Sequence, residues 1–168
     1  MGGTITFESE EGEGTTFVIR VPFKIDLDVD KSKEQKDLSE KTIKGLHILL
    51  AEDNELNMEI AEFMFQKEGA EVTKAWNGLE AVEIFEKSSP GEFDVILMDI
   101  MMPVMDGLEA TRQIRAMDRL DAKMIPIVAM SANAFQDDVE RSKKAGMNKH
   151  ISKPLAGESV IREIKSML

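Results

Sequence analysis

Four segments of this chain end in side chains that could share one piece of chemistry. "HILLAED" ends in Glu52 and Asp53, "DVILMD" ends in Asp99, "IPIVAMSA" carries Ser131, and "KHISKP" carries Lys153 and Pro154. Carboxylates gathered in one place do not coexist unaided. Two unit negative charges ~5 Å apart repel by about 3 kcal/mol at an effective dielectric near 20, so either their pKa values rise or a cation sits among them. Oxygen donors with no histidine or cysteine nearby suit a hard ion, Mg²⁺ or Mn²⁺. A carboxylate beside such an ion and a lysine can attack phosphorus and form an aspartyl phosphate. The metal and Lys153 would neutralise the phosphoryl oxygens, and Ser131 would donate a hydrogen bond to one of them.

Each residue also has a plainer explanation. An Asp after a strand is more often a helix cap or a turn former than a nucleophile, and Asp106 before Gly107 and Asn54 before a helix read that way. A lysine before proline is usually a solvated loop residue. Met101, Met102 and Met105 read as gap fillers or loop residues. What points to a site is the joint occurrence of an acid pair, a lone acid, a hydroxyl and a Lys-Pro on four different segment ends.

The elements that must position them follow from hydrophobic period. "HILLAED", "AEVTKA", "DVILMD", "IPIVAMSA" and "KHISKP" read as strands. Between and after them lie helical stripes: Leu56, Ile60, Phe63 and Met64; Ala81, Val82 and Phe85; Ala110, Ile114 and Met117; a weaker one starting at Phe135 and Val139; and Val160, Ile161, Ile164 and Leu168. Five such alternations predict an α/β fold, a five-stranded parallel sheet with helices on both faces. Right-handed crossovers then bring every strand's C-terminal end to one edge, where open parallel sheets bind ligands. Upstream, residues 4–22 alternate polar and apolar around "EGEG" and predict a β-hairpin with one buried face, an N-terminal extension that needs a partner surface. Residues 24–45 are mostly charged and predict a linker.

Bulk composition narrows the classes. The 168 residues carry a formal net charge of -11, which disfavours nucleic acid and anionic membrane surfaces. There is no cysteine and hence no disulfide or thiolate chemistry. No apolar run reaches the ~18 residues that cross a bilayer, and no signal-peptide pattern is visible. A cytoplasmic location is the expectation, with a parent protein that could be membrane-anchored.

Taken together, "LLAEDN", "VILMDIMMPVMDG", "IPIVAMSANA" and "HISKP" resemble the receiver domain of two-component response regulators, over residues 46–168. The resemblance implies a flavodoxin-like strand order and a phosphoacceptor role for Asp99. It implies Mg²⁺ held by Glu52, Asp53, Asp99 and the backbone carbonyl of Met101, a switch hydroxyl at Ser131 and a phosphate-binding Lys153. His150 stands where the family often has a switching aromatic, and Met101 and Asn133 flank the site as rate-tuning residues. Residues 1–23, with "MGG", "GEGTTF" and a final "VP", resemble the closing strands of a sensor histidine kinase ATP-binding domain. The whole is then similar to a piece of a hybrid histidine kinase. Its two histidines, His47 inside an apolar strand and His150, match no kinase histidine motif, so phosphohistidine formation from ATP is not expected.

The resemblance implies a histidine kinase or a histidine phosphotransfer domain as partner. Docking is expected on the first helix, or on the face of the fourth helix, fifth strand and fifth helix of this region, which phosphorylation would rearrange. Homodimerisation through the hairpin is a further expectation. The alternative is a phosphatase or phosphotransferase with an aspartyl phosphate intermediate. Against it, the second acid that haloacid dehalogenase-type phosphatases place two residues after the nucleophile is replaced here by Met101. A nucleotide-binding module is disfavoured because no Gly-rich phosphate loop follows the first strand.

Overall fold

Unbroken runs of Ile, Leu, Val, Ala and Met build the central strands of the larger unit. In a computed structural model the residues described are 2–10, 12, 14–22, 42–132, 136–155 and 157–167. The chain divides into two units. The first is a hairpin of β1 (Thr4–Glu10) and β2 (Gly14–Arg20). Antiparallel register sets Ile5 opposite Ile19 and Phe7 opposite Phe17, with the two phenyl centroids 5.9 Å apart. The side expected to be buried is not: every residue of both strands is exposed. Two strands have one layer, and a layer without a second cannot bury its apolar face.

The second unit holds a parallel sheet of β3 (His47–Ala51), β4 (Glu71–Ala75), β5 (Val95–Asp99), β6 (Ile127–Ser131) and β7 (Lys149–Ser152), in the order β4-β3-β5-β6-β7. Alternation along the strands sends side chains to two cores. Leu49, Ile96, Met98 and Ile127 pack with residues of α2 (Gly78–Lys87) and α3 (Gly107–Ala116). Ile48, Leu50, Leu97 and Val128 pack with residues of α1 (Glu55–Lys67) and α6 (Gly157–Lys165). Helix α5 (Gln136–Ala145) leads into β7. Central strands covered on both faces read as continuous apolar runs. This is the five-stranded α/β architecture expected from the sequence, in flavodoxin-like order.

Four details differ from the sequence reading. On α1 the buried residues are Met58, Ala61 and Phe65. Leu56, Ile60 and Phe63 are 64%, 52% and 72% exposed, and of the expected stripe Met64 alone packs on the core, in part. At 100° per residue the two apolar stripes lie on roughly opposite sides of the helix, and the sheet takes the one with Phe65. A short helix α4 (Leu120–Met124) precedes β6; five residues are too few to leave a periodic signal. Ile43, assigned to the linker, is 1% exposed and belongs to the α1/α6 core, so packing begins ahead of Leu46. His47, expected to be packed, opens β3 half-exposed with Nε2 3.3 Å from Glu71. Phe135, Leu168 and most of the expected linker lie outside the described residues.

Candidate functional site

Strand order reverses between β3 and β5: the chain runs from β3 outward to β4 and then returns to the other side of β3. The crevice this leaves at the C-terminal ends is the usual ligand site of such sheets. Glu52 and Asp53 follow β3 there, and Asp99 is the last residue of β5. The segment after Asp99 is held by caps and close packing. Asp106 caps α3 by accepting from the Glu109 amide at 2.7 Å, the role its sequence context predicted. A Cβ at Gly107 would overlap the Asp99 carbonyl oxygen, so α3 starts directly against the end of β5. Asn54 caps α1, accepting from the Asn57 amide at 3.0 Å.

Asp99 is 4% exposed and Glu52 2%, while Asp53 is exposed. One ligand oxygen from each of the three lies within 4.8 Å of the others. The cation that relieves two of them is a side chain. Lys153 Nζ donates to Asp99 Oδ2 at 2.6 Å and also pairs with Glu52 Oε2. Asp99 Oδ1 accepts from the Met101 amide at 3.1 Å. Glu52 Oε1 accepts from Asn57 Nδ2 at 3.0 Å and from the Asn54 amide at 3.3 Å. Burial pushes the Asp99 carboxyl above its ordinary range, against the pull of Lys153 and the Met101 amide. For Lys153, burial alone lowers the pKa, but its hydrogen bonds to Asp99 and Glu52 outweigh it and the net shift is upward. An all-oxygen donor set with one member open to solvent fits a hard divalent cation.

Ser131, 6% exposed, ends β6 with Oγ 2.7 Å from His150 Nε2, and its carbonyl oxygen accepts from the Lys153 amide at 2.7 Å. The Met101 side chain is 77% exposed at the rim. Asn133 lies outside the described residues. Glu52, Asp53, Asp99 and Lys153 are thus brought together in one cluster, and Ser131 and His150 form a pair at the ends of β6 and β7. Two contributors were not selected: Asn57, which holds Glu52, and Ser142 of α5, which is 1% exposed and reaches His150 Nδ1 at 3.3 Å. Asn57 had no sequence signal. Ser142 had a faint one, a small hydroxyl on a helix otherwise rich in charge.

A model of the response regulator receiver domain matches residues 48–165. The chain belongs to the response regulator receiver domain family. Among relatives, this receiver is 36% identical to the aerobic respiration control sensor protein ArcB of Escherichia coli K12 over 167 residues, which is 98% of this chain and 20% of that protein. It therefore spans about a fifth of that relative's length. Among solved structures it is similar to the receiver domain of the sensor histidine kinase PA1611 from Pseudomonas aeruginosa PAO1, with 39% identity, a TM-score of 0.66, and coverage of 73% of this chain and 97% of that one. That structure has a magnesium ion coordinated in its active-site cleft. It is also similar to the co-crystal structure of the Saccharomyces cerevisiae histidine phosphotransfer protein Ypd1 with the receiver domain of Ssk1, at 28% identity and a TM-score of 0.65, covering 76% of this chain and 93% of the matched one.

Proposed function

We propose that this receiver takes a phosphoryl group from phosphohistidine onto Asp99, as the Mg²⁺-dependent acceptor of a hybrid histidine kinase. The observation that carries the reading is the buried Asp99 carboxylate, bound by Lys153 and set within 4.8 Å of the Glu52 and Asp53 oxygens. An Asp99 oxygen forms the new O–P bond while the P–N bond of the donor breaks, and the imidazole leaves with that electron pair. Lys153 and the Met101 amide, already on the two Asp99 oxygens, are placed to hold negative charge there. Ser131 supplies a hydroxyl to a phosphoryl oxygen. Glu52, Asp53, Asp99 and the Met101 carbonyl would hold Mg²⁺. When bound, the ion adds positive charge beside the phosphoryl oxygens. Met101, where a hydrolase would have its second acid, supports a switch with at most slow self-dephosphorylation.

The partner is a histidine kinase or a histidine phosphotransfer domain, seated on the exposed stripe of Leu56, Ile60 and Phe63. Large apolar side chains with no cover are the usual anchors of an interface. Phosphorylation would in turn alter the face of α5, β7 and α6. Residues 1–23 are the closing strands of the parent kinase's ATP-binding domain, followed by a charged linker. In this chain the hairpin's uncovered Ile5, Phe7, Phe17 and Ile19 support pairing with a second copy. No described helix is long and apolar enough to cross a membrane, and a cytoplasmic location is proposed for this segment.

Incubation with acetyl phosphate and Mg²⁺, followed by intact-protein mass spectrometry, tests the central reading. One phosphate adduct is expected, and Asp99→Asn should abolish it; an adduct that survives the substitution refutes the assignment.

A further inference from the structure

His150 has both ring nitrogens engaged, and the partners bear on which one carries the hydrogen. Nε2 lies 2.7 Å from Ser131 Oγ at the end of β6. Nδ1 lies 3.3 Å from Ser142 Oγ in α5. Ser142 is 1% exposed, and its Oγ donates to the Val139 carbonyl oxygen at 2.9 Å, the back-bond typical of a helical serine. A hydroxyl has one hydrogen, and a carbonyl oxygen only accepts. With its hydrogen given to Val139, Ser142 meets the imidazole as an acceptor, an arrangement that calls for a hydrogen on Nδ1. A neutral imidazole has one N–H. Nε2 is then a lone pair, and the hydroxyl of Ser131 is the donor in the shorter contact.

We propose that His150 is a positioning residue: held as its Nδ1–H tautomer by Ser142, it takes the Ser131 hydrogen and holds it until a phosphoryl group arrives. Ser131 can give that hydrogen to a phosphoryl oxygen by leaving Nε2. The ring stays tied to α5 through Nδ1, so the event in the pocket is passed to the helix by one side chain. Space for the ring to respond exists. A cleft of about 350 Å³ between α5 and β7 is lined by His150, Ser142, Val139 and Met147. The functional consequence rests on Asp99 being the acceptor; the tautomer does not.

The test is a long-range ¹H–¹⁵N correlation spectrum of the imidazoles in the full, unphosphorylated chain at a pH where histidine is neutral. The chain has two histidines, so His47→Gln identifies His150. The proposal expects a hydrogen-bearing Nδ1 and a bare Nε2 for His150. Ser142→Ala should exchange the two resonance types, and Ser142→Thr should restore the wild-type pattern. A wild-type hydrogen on Nε2, or a pattern unmoved by Ser142→Ala in a folded variant, overturns it. The wild-type spectrum decides by itself should the alanine variant fail to fold. After acetyl phosphate and Mg²⁺, a change at Nε2 with Nδ1 still protonated is expected, and an unchanged Nε2 in protein carrying the adduct overturns the coupling. Absence of any adduct by mass would instead refute Asp99 as acceptor and leave the tautomer result standing.

Discussion

Replacing Lys153 by methionine removes a cation from between two buried carboxylates while keeping most of the apolar stem. Asp99 and Glu52 each place an oxygen within 4.8 Å of the other. At an effective dielectric near 20 their repulsion is about 3.5 kcal/mol. The escape is protonation of one of them, which at pH 7 costs about 4 kcal/mol against an ordinary pKa near 4. Neither route is cheap at neutral pH, and Lys153→Met should lose about 3–4 kcal/mol, in line with breaking a buried pair from one side. At pH 5 protonation costs only about 1.5 kcal/mol, so the loss should shrink. The sign follows from linkage. The folded variant binds a proton at higher pH than its unfolded chain, so its deficit is largest at high pH and narrows as pH falls. Urea unfolding with EDTA present, followed through Trp76, the one tryptophan, measures it. Adding Mg²⁺ should return part of the loss, because the proposed ion site of Glu52, Asp53 and Asp99 is assembled in the folded state. Asp99→Asn in the same background should return part of it as well. A loss below about 1 kcal/mol at pH 7, or one that does not change with pH, would refute the picture of two charged acids sharing one lysine.

Asp121 accepts from Arg119 Nε at 2.7 Å and Nη2 at 2.6 Å, and this pairing holds its carboxyl far below the usual range. Asp121→Asn should cost about 2 kcal/mol at neutral pH. A depressed carboxylate stabilises above its unfolded pKa, so stability curves of variant and wild type should converge as pH falls below about 4. Val104 has a φ of 67° and is exposed, a left-handed conformation that disfavours a β-branched residue. Val104→Gly should therefore raise the unfolding free energy by about 1 kcal/mol, and a loss of stability would show the loop is not strained. Met58→Ala should cost about 2–4 kcal/mol. Phe63→Glu on the same helix should change stability by less than about 0.5 kcal/mol yet weaken binding of a histidine phosphotransfer domain by about tenfold or more in calorimetry.

The sheet and the gathering of Glu52, Asp53, Asp99 and Lys153 were legible because both depend on strand ends. Val95–Met98 and Ile127–Met130 are apolar without interruption, as central parallel strands must be, and the residue that breaks each run, Asp99 or Ser131, stands at the strand's C-terminal end. Helix α1 was misread because it carries apolar residues on two sides, and period alone does not say which side meets the sheet. Lys153 was foreseen as a phosphate ligand, but its pairing with Glu52 and Asp99 together needs the depth of the pocket, which spacing does not encode. Ser142 was missed because its importance depends on His150, eight residues on, after a turn.

Helix α1 fastens to the body through Met58, Ala61 and Phe65 and presents Leu56, Ile60 and Phe63 to the outside. On the proposed docking, anchorage and recognition fall to separate side chains of a single rod. On that docking a change of partner can be written on the outer row at almost no cost to folding, while Asn54 and Asn57 at the head of the rod keep their hydrogen bonds to Glu52.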